Sequence, residues 1–575
     1  MRSPRILSIF ILVCLTGSLF GQMTPNAPVK NFRLPRFGDN GYTEWVLQGA
    51  KGIYDSAEQV RVEMMAMRVY SGDERMALEL SMDSPEATLR LKENRAYSKG
   101  AIEIVGANFK ISGVGWEWSG KTKEIVVKED TVVTFTQAIA GAFTDRGSID
   151  SGVASQTKIQ SGRLILRTTA EAYYFEFTGD VHAVSDQMDL KSEQLIALAD
   201  APEGRERGAK AVAPSELDSV RRITASGDVV IVQAGKTVRA DQAEFFPREQ
   251  RANLSGAASV EMTGAYLSGE TIRSQSGEVV IAGTSKVGRA QTILTDTGGL
   301  GVQGASALSS DTIVLADTIT LREQASENHF LFNGSVEVMS GSLQLRSERM
   351  RINANRAQAP GREGDDAKLQ VGEVKNIVAD GGVRIEQSGQ VATSETVTFY
   401  PSDGRAVLSG APKVTNGEAV VTGHTMELKP KLAIFRGEAG EPVVVQLPEM
   451  PDLGYRPSRE RGPEGDDASA SAEESGVPAA AATGQDASEP GSPIEKRDTM
   501  VTSQLLRMIE EPDETVFRFT ENVIIAATNL DATCERLDVI TRESGDAGSR
   551  APLELERIEA LDNVVIEQTG RTATA

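Results

Sequence analysis

The stretch Ile223-Thr-Ala-Ser-Gly-Asp-Val-Val-Ile-Val-Gln-Ala-Gly235 returns twice, as Ile377-Val-Ala-Asp-Gly-Gly-Val-Arg-Ile-Glu-Gln-Ser-Gly389 and as Ile558-Glu-Ala-Leu-Asp-Asn-Val-Val-Ile-Glu-Gln-Thr-Gly570. Ile223, Ala225, Val229 and Ile231 match Ile377, Ala379, Val383 and Ile385, then Ile558, Ala560, Val564 and Ile566. Within each copy these positions share one parity, and they stay apolar in all three. The residues between them change freely: Val230 gives way to Arg384 and Val565, and Val232 to Glu386 and Glu567. Side chains alternate along a strand, so each copy has one sheltered face and one that meets water.

A second element precedes each copy: Phe175-Glu-Phe177-Thr-Gly-Asp-Val181, Phe330-Leu-Phe332-Asn-Gly-Ser-Val336 and Phe517-Arg-Phe-Thr-Glu-Asn-Val523. A third follows the first two copies, Phe245-Phe246-Pro247 leading to Leu254-Ser255-Gly256, then Phe399-Tyr400-Pro401 leading to Leu408-Ser409-Gly410. Ordered recurrence of three elements marks a long internal repeat. The interval lengthens before the last copy, as inserting the Pro/Ala/Ser/acidic tract Arg456–Asp498 would make it. Elsewhere the two-residue period persists, in Val60-Arg61-Val62, Ile102-Glu103-Ile104 and Val336-Glu337-Val338. Gly, Asn, Asp and Ser punctuate these runs and read as tight turns between antiparallel strands. Ala201–Glu216, Arg356–Lys368 and Arg456–Asp498 hold too few apolar residues for a core and read as linkers, the last as disordered.

The chain has 575 residues, enough for three to five units at about 100–200 residues each. Lys and Arg total 60 against 82 Asp and Glu, a formal net charge of −22. Nucleic-acid binding needs a basic footprint, so no nucleic-acid partner is expected. Three His and two Cys leave little for imidazole chemistry, a cysteine-rich zinc site or a disulfide scaffold. At the N-terminus, Arg2 and Arg5 precede an apolar run from Ile6 to Phe20 that is short of a bilayer span. Residues 1–21 therefore read as a secretory signal, with an uncleaved N-terminal anchor as the alternative. The chain is expected in the periplasm, or tethered to the inner membrane; with the signal removed, Cys534 is the one thiol left.

The repeats resemble the OstA-like modules of the lipopolysaccharide-transport family, found in LptA and the periplasmic part of LptD. Ile223–Val260 and Ile377–Val414 carry the typical run: an Ile-x-Ala-x-Gly-x-Val-x-Ile strand, a polar turn, a strand ending in aromatics, and a Leu-x-Gly return. The N-terminal region resembles LptC, through Phe32-Arg-Leu-Pro35, Gly41-Tyr-Thr-Glu-Trp45-Val-Leu-Gln-Gly49-Ala50, Val69-Tyr70 and Gly100-Ala-Ile-Glu-Ile-Val-Gly106. The resemblance implies an all-β chain of tandem β-tacos, folded-over antiparallel jellyrolls, separated by polar linkers. It divides the chain into an LptC-like domain over 30–140, OstA-like modules over 160–306 and 308–448, a linker over 456–498 and a partial module over 499–575. Three such units behind an LptC-like one depart from the usual layout. By the same resemblance the clefts carry acyl chains of lipopolysaccharide or a similar glycolipid. Val229, Ile231, Val383, Ile385, Val564, Ile566, Phe175, Phe177, Phe330 and Phe332 are the candidate cleft residues. Edge-strand pairing with other Lpt-type components, an inner-membrane transporter and an outer-membrane barrel, or head-to-tail with further copies, is implied as well.

Catalytic chemistry finds no constellation. His182, His329 and His424 stand far apart in sequence, without metal-ligand spacing. Gly152-Val-Ala-Ser155 lacks the spacing of a serine nucleophile, and Gly298-Gly-Leu-Gly301 does not open a helix that could cradle phosphate. Asp466-Asp467 and Glu473-Glu474 read as solvated charge. Trp116-Glu-Trp118 fits either a binding platform or a cap on the N-terminal core. No enzyme activity, metal or cofactor is expected. The competing reading is a parallel β-helix or other solenoid that acts on or binds polysaccharide, or adheres to surfaces. Its coil would repeat every 20–30 residues or so, several-fold shorter than the repeat found.

Overall fold

The computed structural model describes residues 28–135, 156–200, 220–294, 311–356, 371–447, 499–543 and 553–574, less a few positions inside these ranges. The signal segment 1–21 and the tracts Ala201–Glu216 and Arg456–Asp498 lie outside the described residues, as does all of Arg356–Lys368 beyond its first residue. Nearly everything described is strand, and no α-helix occurs among the described residues. The strand pairings described are antiparallel throughout, which removes the parallel solenoid. Two compact units emerge, Met1–Leu254 and Ser255–Ala575, dividing inside the strand Arg251–Met262.

One strand shows how the repeats build the sheet. Ala172–Ser185 pairs along its first half with Arg163–Thr168 and along its second with Thr157–Ser161, two short strands joined at Gly162. On its other side lies Met188–Asp200, and the register steps between Thr178 and Val181. Gly179 and Asp180 occupy the step, both with positive φ, 82° and 47°. Two residues against one is a β-bulge, and two successive left-handed residues turn the strand sharply. Each strand thus becomes a bent rung with two limbs.

The same step recurs at each repeat. Gly227 and Asp228, Gly334 and Ser335, Gly381 and Gly382, and Glu521 and Asn522 all have positive φ, with register steps at the first, second, third and fourth pair alike. The sequence reading keeps Gly227-Asp228 and Gly381-Gly382 inside one strand, but takes Gly, Asn, Asp and Ser between runs such as Phe330-Leu-Phe332 and Val336-Glu-Val338 as tight turns. The structure puts them inside continuous strands, and the reversals fall at the limb tips, as between Gln387 and Gln390. Tight turns and bulges draw on the same left-handed residues, so composition alone does not separate them.

Packing explains the glycines. The residue opposite the doubled pair is acidic: Glu193, Asp241, Glu348, Glu395 and Glu535. The side chain of one rung lies over the glycine of the next. A Cβ on Gly227 would fall 2.7 Å from the Cβ of Glu193, and one on Gly381 2.7 Å from that of Glu348. Before the acidic residue a serine hydroxyl donates to a carbonyl at the bend: Ser192 to Gln194 at 3.1 Å, Ser347 to Arg349 at 3.0 Å and Ser394 to Thr396 at 3.2 Å. The bend takes backbone groups out of the ladder, and these hydroxyls partner them.

Candidate binding cleft

Within each unit the limbs form two walls whose inner faces can be followed rung by rung through the register. In the first unit one row runs from Leu34 through Leu47, Met67, Met82, Ile104 and Ile111, then Val133, Ile159, Ala183, Leu190 and Ile231, to Val238. Every member is apolar. In the second unit the corresponding row runs from Leu267 through Val338, Leu345, Ile385, Val445 and Ile525 to Ala573, with Thr292 its one polar member. The facing wall of that unit holds Ile272, Ile319, Phe332, Ala379, Leu408 and Phe519, again apolar to its end at Ala560.

The ten candidates from the sequence all lie on inner faces. Val229 and Ile231 are fully buried on the first unit's first wall, and Phe175 and Phe177 on its second. Val383 and Ile385 are buried on the second unit's first wall, with Ile385 opposite Leu345 and Ala392. Val564 is buried and Ile566 half-buried near the last strands. Phe330 and Phe332 are buried on the facing wall, where Phe332 pairs with Ile319 and Met350. Between Val383 and Ile385, Arg384 is exposed and bonds Glu386 at 2.6 Å on the outer face. No single pocket gathers the ten; they are distributed along two clefts.

Two features of the clefts escaped the sequence reading. Ala392, Val414 and Val421 belong to the first-wall row, yet they are only half-buried. On the facing wall Val397, Leu408 and Met426 stay at 0%, 1% and 5% exposure. Here the apolar interior reaches solvent. Their short strands, Lys413–Asn416 and Ala419–Thr422, were visible only as a Pro-Lys-Val return. The second feature is a group of rings, Phe109, Phe135, Tyr173, Phe175 and Phe177, all buried. Phe109 and Phe135 share the parity of Ile111 and Val133, which is the signal that could have found them.

Titratable groups sit mainly outside. His182 bonds Asp189 at 2.9 Å, His329 bonds Asn353 at 2.7 Å, and His424 lies 3.2 Å from Glu438. Among the described residues no group of three or more His, Cys, Asp or Glu side chains is placed to hold a metal ion. Burial raises the thiol pKa of Cys534 above its ordinary value. Burial, reinforced by the nearby charge of Glu79, pushes the Tyr173 hydroxyl up to about 12, so it stays neutral in the cleft. Thr131 and Thr292 each bury a hydroxyl with no hydrogen-bond partner in the structure.

Residues 158–280 and 313–432 match the family described as LptA/(LptD N-terminal domain) LPS transport protein. Both segments belong to this lipopolysaccharide-transport family. The first match begins in the strand Thr157–Ser161 and ends in Glu278–Ala282; the second begins in Thr312–Ala316 and ends in Leu432–Arg436. The matched lipopolysaccharide-transport segments therefore contain most of the bent rungs that carry Val229, Ile231, Phe330, Phe332, Val383 and Ile385. No curated protein matches the chain.

Proposed function

We propose that the chain carries lipopolysaccharide, or a closely similar glycolipid, through the cell envelope toward the outer membrane, with the acyl chains held between the two walls. The observation that carries this reading is the apolar row that crosses rung after rung of the second unit and reaches solvent at Ala392, Val414 and Val421. A local hydrophobic core needs only a compact cluster; a row of this length suits a long alkyl ligand that moves along it. Each methylene taken from water contributes about 0.8 kcal/mol, so several acyl chains supply ample affinity without catalysis. The protein acts as a carrier, not an enzyme, and moves its cargo by displacement. Its place is the periplasm, and strand edges at the ends of the sheets serve for pairing with Lpt-type membrane components. Val229, Ile231, Val383, Ile385, Val564 and Ile566, with Phe330 and Phe332 opposite, line the path.

Site-specific photo-crosslinking in cells tests the reading. A probe at Val383, Ile385 or Val414 is expected to capture lipopolysaccharide. At Arg384 or Lys413, one residue over and exposed, it is expected to capture little. If all three inward probes stay empty while folded protein is abundant, the cleft is an ordinary core and a structural or adhesive role replaces the carrier.

A further inference from the structure

The first unit differs from the second in how its walls meet. Phe109 and Phe135 come from the first wall, at the tips of the strands Phe109–Ser119 and Glu124–Phe135. Tyr173, Phe175 and Phe177 come from the second wall, on the first limb of Ala172–Ser185. Their rings mesh across the cleft. Phe109 meets Phe175 edge-on with centroids 5.1 Å apart and Tyr173 at 5.5 Å, Phe135 meets Phe175 at 5.2 Å, and Phe177 stacks on Phe175 at 6.3 Å. No ring of the five is more than 6% exposed.

Nearer the N-terminus the walls are tied again. Trp45 of the first wall meets Trp118 of the second edge-on at 6.0 Å. Its Nε1 donates to Oδ1 of Asn94 at 3.0 Å, in a buried bond that joins one lip of the cleft to the other. The fit is close, because a Cβ on Gly120 would fall 2.4 Å from Nδ2 of Asn94 and 2.8 Å from the Trp118 ring. Edge-to-face rings and buried hydrogen bonds are directional, so they are lost when walls separate even slightly. Aliphatic walls lose only contact area. Among the described residues of the second unit no ring meets another ring. Past the ring cluster the second wall of the first unit alternates small and large residues, Ala197, Ala225 and Ala243 beside Leu195, Ile223 and Phe245.

We propose that the ring cluster around Phe175 is an internal stop, and that the cleft on its N-terminal side is a latched, chain-filled core which holds no lipid. This rests on the carrier reading and fixes where the carried acyl chains end. It also reassigns Phe175 and Phe177 from lining the path to closing it. The N-terminal strands then serve as a rigid platform, and lipid occupies the rungs beyond the rings.

The test places photo-crosslinking probes in the full chain, in cells that make lipopolysaccharide, at Met67 and Met82 before the stop and at Val338 and Leu345 in the second unit. All four side chains are fully buried on first-wall rows. Adducts at Val338 and Leu345 with none at Met67 and Met82 are expected. Lipid adducts at Met67 or Met82 overturn the stop and leave the carrier reading standing. Empty probes at all four positions remove the carrier reading and the stop with it. A second variant asks whether the rings themselves do the stopping. Phe109→Leu with Phe175→Leu keeps an apolar interior without rings, and should turn the Met82 probe from empty to labelled. A protease-resistant double variant whose Met82 probe stays empty shows that the rings are not the stop.

Discussion

Gly381 and Gly382 share one bend and face opposite constraints. Gly381 has φ +85° and carries the Glu348 side chain against its Cα, so an added Cβ would sit 2.7 Å from Cβ of Glu348. Gly382 has φ +68°, and nothing lies within 4 Å of where its Cβ would be. Gly382→Ala should therefore cost only the left-handed strain, about 1–2 kcal/mol. Gly381→Ala adds a backbone shift or a displaced Glu348, and should cost at least about 1 kcal/mol more. The other copies support the distinction: the second position holds Asp180, Asp228, Ser335 or Asn522, short polar residues that tolerate this conformation. Gly382→Asn should then be milder than Gly382→Ala. Urea unfolding of the three variants, followed through the second unit, gives the order. Equal losses for both alanine variants would mean that Glu348 does not press on the backbone.

At the level of the strand, alternation marks which residues face inward but not that one strand makes both walls. Ile377, Ala379, Val383 and Ile385 keep one parity across the bend because two residues, Gly381 and Gly382, stand against one, Glu395, on the neighbouring strand. That doubling was visible as a Gly-x-Val spacing in the first two copies of each element, yet a turn and a bulge of the same composition look alike until the pairing partner is known. The partner, the Ser394-Glu395 pair of the adjacent strand, is identified only once the register is known. The half-open stretch at Ala392, Val414 and Val421 was hidden for a related reason, since exposure of an inward residue depends on the wall opposite. Deleting Gly382 makes the strand-level consequence testable. One residue fewer shifts the parity of the second limb, sending Val383 and Ile385 outward and Arg384 inward. Hydrogen exchange should show protection lost across Val371–Gln387 and Gln390–Tyr400, whereas Gly382→Asn leaves both strands protected. Retained protection in the deletion variant would mean that the neighbouring strand absorbs the shift, and that the doubled residue does not set the register.

Across the whole molecule the charge and the apolar surface are separated by the same alternation. Arg and Lys pair with Asp and Glu on outer faces, as in Arg346 with Glu337 and Lys375 with Glu327, and these exposed pairs contribute little stability. Their use is to keep a chain of net charge −22 soluble while apolar rows run inside it. A carrier and a local binding pocket make different demands on such a row. With neighbouring strands about 4.8 Å apart, the second unit's row extends for tens of ångströms, and a moving acyl chain must pass every point on it. Val338→Asp, Val445→Asp and Ile525→Asp each place an unpaired carboxylate in that row, at a cost of several kcal/mol to an alkyl chain beside it. Each alone should block delivery of lipopolysaccharide to the outer membrane, although the three residues lie far apart in sequence. Val444→Asp and Ile524→Asp, on the outer face next to two of them, should not, Ile524 being 51% exposed. Protease resistance of each purified variant separates blocked transport from unfolding. If one folded variant fails and the other two deliver lipid normally, the ligand occupies a local pocket at that position, and the rows elsewhere are only the core of the sheet.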